Sequence, residues 1–133
     1  MASNDLEISQ EFRFFQVYKD GCLEFFCPPC EKIPPSNDPI TGVRSKDVTV
    51  SSETLIVSTR IFIPKITNPN QKFPLLFYVH GGGFFMLSVF AKQYQDFCTT
   101  VSAQANVVVM SVEYGLFLDR PIPTCYEDLW TAL

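Results

Sequence analysis

At 133 residues, 47% hydrophobic and 14% aromatic with thirteen phenylalanines, the chain is one domain's worth of core-forming sequence or a piece of one. A net charge of −4 and a pI near 4.8, with no Lys/Arg cluster, exclude a nucleic-acid binder working by phosphate neutralisation. No apolar run reaches the ~20 residues of a membrane span, and the polar start Met1-Ala2-Ser3-Asn4-Asp5-Leu6-Glu7 carries no secretory signal, so a cytoplasmic protein is expected.

Phe12 to Tyr18 and Leu23 to Phe26 are aromatic-rich runs separated by Lys19-Asp20-Gly21-Cys22, and Asp-Gly in that place predicts a hairpin. Residues 28–42 hold five prolines and read as an irregular loop ending in Asp38-Pro39-Ile40-Thr41-Gly42. Asp47 to Val50 and Leu55 to Pro64 form a second strand pair. In the latter strand Val57, Thr59, Ile61 and Ile63 make the better core face, opposite Ile56, Ser58, Arg60 and Phe62.

The character changes at Pro74. Leu75 to Val79 is apolar on both faces, the pattern of a central strand covered on two sides. Tyr94, Phe97, Cys98, Val101 and Ala105 then recur at helical spacing and predict an amphipathic helix over 91–104, closed by Asn106. Val107 to Tyr114 is a second two-sided strand. Strand, helix, strand in that order predicts a right-handed parallel crossover, and a further helix begins between Pro123 and Tyr126.

Five cysteines (Cys22, Cys27, Cys30, Cys98, Cys125) are an odd number, best accounted for as free thiols in a reducing compartment. Cys27-Pro28-Pro29-Cys30 has C-x-x-C spacing, but no second cysteine or histidine pair completes a zinc site, so neither metal nor cofactor is expected.

The chemistry sits in His80-Gly81-Gly82-Gly83-Phe84, at the end of the first two-sided strand. Three consecutive glycines there present backbone N–H groups with no Cβ in the way, which is how an oxyanion hole for acyl transfer is built. No Gly-x-Ser-x-Gly elbow accompanies them, and His80 is the only histidine. Ser88 lacks the flanking glycines of a strained elbow and reads as structural; Glu113 and Asp128 read as lone carboxylates at a strand end and a helix start. The electrostatic half of a serine hydrolase is present without its nucleophilic half.

Val17-Tyr18-Lys19-Asp20-Gly21, Pro34-Pro35-Ser36, Asp38-Pro39-Ile40-Thr41-Gly42-Val43, Ser45-Lys46-Asp47-Val48, Arg60-Ile61-Phe62-Ile63-Pro64-Lys65, His80-Gly81-Gly82-Gly83-Phe84 and Tyr126-Glu127-Asp128 occur in that order. Together they resemble the N-terminal part of the plant carboxylesterases, a hormone-sensitive-lipase-like branch of the α/β-hydrolases that includes 2-hydroxyisoflavanone dehydratases, gibberellin receptors and alkaloid-forming cyclases. The resemblance implies an α/β fold whose mixed sheet has antiparallel leading strands followed by a parallel βαβ unit, here incomplete. Residues 1–45 would form a cap segment with the first hairpin, and residues 46–133 the first part of the core. Gly82 and Gly83 would be oxyanion donors, His80 and Gly81 would shape their loop, and Phe84 and Phe85 would line the acyl or alcohol pocket.

In complete members the serine elbow, acid and catalytic histidine lie downstream. The implied parental activity is hydrolysis of small apolar carboxylic esters, this chain itself being inactive; the alternatives are non-catalytic binding of a small apolar metabolite, or elimination or cyclisation on the same fold. Without the family's next strand, Leu75 to Val79 would present an open apolar edge. One departure stands out: where members read Tyr-Arg-Leu-Ala-Pro-Glu-His-Pro, this chain reads Tyr114-Gly115-Leu116-Phe117-Leu118-Asp119-Arg120-Pro121, and a strand-end arginine is missing.

Overall fold

The computed structural model describes residues 7–26, 30–51, 53, 55–117 and 119–133. Cys27 of the C-x-x-C spacing and the first six residues lie outside them. The Asp20-Gly21 step turns as expected. Gly21 adopts φ +86°, left-handed backbone that glycine enters without a Cβ penalty, and Asp20 Oδ1 accepts a 2.9 Å bond from the Cys22 N–H. A strand with no apolar alternation, β1 (Ile8–Glu11), pairs antiparallel with β2 (Phe15–Tyr18), which the turn joins to β3 (Leu23–Phe25). β1 is exposed along its whole length, so nothing in its residue pattern announces it.

The second sheet contains β4 (Arg44–Ser51), β5 (Ile56–Ile63), β6 (Leu75–Tyr78) and β7 (Val108–Glu113), in the order β4-β5-β7-β6. β4 and β7 both run antiparallel to β5. β6 runs parallel to β7, from Leu75 opposite Val108 to Tyr78 opposite Ser111. The connection between them carries α1 (Lys92–Ala105), and α2 (Thr124–Ala132) follows β7. The architecture is thus a mixed sheet whose antiparallel leading strands precede a parallel βαβ unit. Asn106 ends α1 in left-handed backbone (φ 54°), its N–H returning to the Ser102 carbonyl.

Two core layers flank this sheet. On one face Val43, Phe62, Cys98 and Val109 pack together; on the other Val57, Val112 and Ala132 do. On the alternating face of β5 chosen from sequence Val57 and Thr59 are buried but Ile61 and Ile63 only partly so, and opposite it Arg60 and Phe62 are buried as completely as the first pair. The reason is that α1 covers one face of β5 and α2 the other, and alternation reports only a strand with one wet face.

Arg60 is tolerated there because its charge is matched. Nε and Nη2 donate to Asp47 at 2.6 and 2.9 Å, Nη1 donates to Gln95 Oε1 at 3.1 Å, and the guanidinium lies 5.0 Å from the Phe90 ring centroid. That network also corrects the expected inward stripe of α1. The buried positions are Gln95, Cys98 and Ser102, whereas Phe97 is half exposed beside Tyr78. Gln95 and Ser102 can be buried because each hydrogen-bonds inside, Gln95 Nε2 to Ser45 Oγ (2.9 Å) and Ser102 Oγ to the Val107 carbonyl (2.8 Å).

β6 lies at the sheet edge, with Leu75 59% and Leu76 40% exposed. Two-sided apolar patterning on an edge strand is the open apolar edge anticipated from sequence.

Candidate active site

β6 ends at Tyr78, and the chain passes through Val79 into the glycine loop. His80 is 2% exposed. Its Nδ1 lies 2.7 Å from the Gly81 carbonyl oxygen; a carbonyl only accepts, so Nδ1 carries the proton and Nε2 is the bare nitrogen. Nε2 is buried and has no partner among the described residues. Burial pushes the imidazole pKa below its ordinary value, which keeps the ring neutral. Tyr114 stacks on it at 4.4 Å with planes 16° apart and donates a 2.8 Å bond to the His80 carbonyl. The Tyr94 hydroxyl donates to the Gly81 carbonyl at 3.2 Å. The arrangement makes His80 a neutral packing element under the loop, held from α1 and from the end of β7.

The next two glycines are required by geometry. Gly82 has φ +138°, and a Cβ on it would meet the Met86 carbonyl oxygen at 2.0 Å. Gly83 has φ +62°, and a Cβ there would meet the Phe85 ring at 3.0 Å. The Gly82 carbonyl accepts from the N–H groups of Phe85 (3.3 Å) and Met86 (3.1 Å), so the loop curls into a tight turn after the strand. The N–H groups of Gly82 and Gly83 donate to no acceptor among the described residues. Phe84 and Leu87 adopt left-handed backbone (φ 69° and 75°) without being glycine, strain of the kind that gathers at functional loops.

A cavity of about 200 Å³ is bounded by His80, Gly82, Gly83, Phe84, Tyr114 and Cys125, among others. Phe84 thus faces it. Phe85 turns the other way and packs against Phe15 (6.1 Å) and Phe25 (5.1 Å), tying the first sheet to the glycine loop. Gly82 and Gly83, whose N–H groups have no acceptor among the described residues, thus border a small, mostly apolar recess. The loop supplies no base: His80 is its one imidazole and is locked beneath it.

Two carboxylates read from sequence as lone side chains have specific partners. Glu113, at the end of β7, accepts from Ser88 Oγ (3.0 Å) and the Val89 N–H (2.7 Å), anchoring the segment that leads out of the glycine loop. Ser88 is thereby structural, as expected. Asp128 is 1% exposed and accepts from the Gly115 N–H (2.6 Å) and from Arg120 Nη1 (2.6 and 2.8 Å). Neither contact follows a helical or strand period, so no sequence signal marks them. Among the described residues no three His, Cys, Asp or Glu side chains are grouped to hold a metal ion, and no helix is long and apolar enough to cross a membrane.

A family profile described as the alpha/beta hydrolase fold matches residues 76–133. The 2-hydroxyisoflavanone dehydratase of Glycyrrhiza echinata is 41% identical over 128 residues, covering 96% of this chain and 39% of that protein. The probable carboxylesterase 2 of Arabidopsis thaliana is 41% identical over 134 residues, covering all of this chain and 42% of that protein. Among solved structures, an esterase from Pyrobaculum calidifontis superimposes with a TM-score of 0.58 at 28% identity, over 67% of this chain and 28% of that one. The chain spans about two fifths of the length of the plant relatives. Strand order, glycine loop and these likenesses agree: the chain belongs to the α/β-hydrolase fold family, on the branch of the plant carboxylesterases and 2-hydroxyisoflavanone dehydratases.

Proposed function

We propose that the Gly82 and Gly83 N–H groups form the oxyanion hole of a carboxylesterase-like hydrolase acting, as a full-length protein, on small apolar carboxylic esters. The observation that carries this reading is the pair of backbone donors without acceptors among the described residues, beside a recess of about 200 Å³, at Gly82 and Gly83, whose left-handed backbone and close neighbours disfavour any side chain. A tetrahedral oxyanion bound there would be stabilised more than the planar ester, which is what accelerates acyl transfer. His80 and Gly81 shape the loop, Phe84 lines the recess, and Phe85, packed on Phe15 and Phe25, ties the loop to the first sheet.

These 133 residues contain no Gly-x-Ser-x-Gly elbow, and the single histidine is buried beneath the loop, so the chain by itself is inactive. Residues 1–45 serve as the cap segment and 46–133 as the first part of the core. The free thiols of Cys22, Cys30, Cys98 and Cys125 fit a reducing cytoplasm.

The dehydratase relative is as similar as the esterase, at 41% identity each, which favours one second reading. In it the same donors hold an enolate or a departing carboxylate during elimination.

The test is an NMR titration of the purified chain with butylphosphonate, a tetrahedral anion with a short apolar tail, beside an assay with p-nitrophenyl butyrate. Saturable shifts at the Gly82 and Gly83 amides, with hydrolysis no faster than background, are expected. Unmoved amides would remove the oxyanion reading; hydrolysis abolished by Gly82→Val would overturn the inactive one.

A further inference from the structure

We infer that Arg120 is the positioning residue of the glycine loop, standing in for a side chain at position 115. Its functional consequence rests on reading Gly82 and Gly83 as oxyanion donors, whereas the contacts themselves do not.

The first observation is why residue 115 is glycine. Gly115 lies outside the left-handed region, so its backbone would accept any L-residue. What excludes a side chain is Arg120: a Cβ on Gly115 would sit 2.6 Å from Arg120 Cδ and 3.2 Å from its Nη1. The same Cβ would stand 3.1 Å from Asp128 Oδ2. A side chain at 115 would therefore begin against the carboxylate that Arg120 now neutralises. Positions 115 and 120 are alternative origins for one cation.

The second observation is what that cation holds. Asp128 is 1% exposed, and its charge is matched by Arg120 Nη1 and the Gly115 N–H. A carboxylate buried without its cation is strongly destabilising. The pair pins both ends of a short loop after β7, whose Arg120 N–H returns to the Leu116 carbonyl at 3.1 Å. Inside that loop the Phe117 N–H donates a 2.7 Å bond to the Phe84 carbonyl. Phe84 follows Gly83 directly and is in left-handed backbone, a conformation that persists only when its surroundings enforce it. The route runs from Asp128 on α2, through Arg120 and Phe117, to the residue beside the oxyanion donors.

The experiment measures amide hydrogen exchange by NMR at Phe117 and Gly115 in this chain and in four variants. Arg120→Ala should raise exchange at both amides about tenfold or more. Arg120→Lys should keep most of the protection, because one nitrogen makes both contacts to Asp128. Gly115→Arg alone should be destabilising through its collision with Arg120. Combined with Arg120→Ala, the same Gly115→Arg change should restore protection at Phe117. Unchanged exchange at Phe117 in Arg120→Ala would overturn the inference, and so would Gly115→Arg being equally damaging with and without Arg120. If Arg120→Ala does not fold, a folded double variant supports the proposal and an unfolded one overturns it. Failure of the oxyanion reading would show separately, in the anion titration at Gly82 and Gly83.

Discussion

The Tyr114 hydroxyl donates a 2.8 Å hydrogen bond to the His80 carbonyl while its ring lies 4.4 Å from the imidazole, so one side chain at the end of β7 supports both backbone and side chain at the head of the glycine loop. Burial pushes the Tyr114 phenol up to about 12, so it remains a donor throughout the accessible pH range. Tyr114→Phe keeps the stacking and leaves a buried carbonyl unpaired. It should cost about 1–2 kcal/mol of stability, read as a lower urea midpoint at unchanged slope. An unshifted midpoint would show that the bond contributes nothing.

Stability should fall as the pH drops from neutrality toward 5. Burial lowers the His80 pKa below its unfolded value near 6.5, so between the two values the unfolded chain binds the extra proton. The contribution is complete above the unfolded pKa and is lost as pH falls through the folded one. His80 is the only histidine. Asp20 and Asp38, whose pKa values are held low by local hydrogen bonds, act in the same direction but at more acid pH. Denaturation at pH 5.2 and 7.5 should show a difference that His80→Asn largely removes; an equal difference in the variant would assign it elsewhere.

Neighbouring glycines should respond oppositely to the same substitution. Gly81→Ala meets nothing within 4 Å and needs no left-handed backbone, so its effect should stay within about 0.5 kcal/mol. Gly82→Ala brings a Cβ to 2.0 Å from the Met86 carbonyl oxygen at φ +138° and should cost more than about 2 kcal/mol. Thermal unfolding of the two variants side by side makes the comparison, and equal effects would mean that the loop is not held in this turn.

Thiol accessibility should divide the cysteines by burial. The Cys98 thiol is pushed up to about 12 and that of Cys125 is also raised, in both cases chiefly by burial. Both side chains are enclosed, whereas Cys22 is exposed. Iodoacetamide at pH 8 should therefore modify Cys22 in the native chain and reach Cys98 and Cys125 only in denaturant, as read by peptide mass spectrometry. Native labelling of Cys98 would show that the α1 layer opens.

Local chemistry by itself determined the Asp20-Gly21 turn, the parallel strand–helix–strand order and the glycine loop, because each depends on residues adjacent in the chain. Single-residue properties (φ preference, apolar run length, the absence of a Cβ) suffice for such features. Tertiary structure alone decided the rest. β1 exists only because β2 offers an edge, and the burial of Arg60 and Gln95 only because Asp47 and Ser45 approach from another strand. Glu113 and Asp128 gain partners across distances in sequence that no periodicity encodes. Gly115, read as a loss from the family motif, becomes intelligible once Arg120 is seen in the space a side chain would take. Charge can be matched from any position that folding brings within about 3 Å, and the list of such positions is a property of the packed chain.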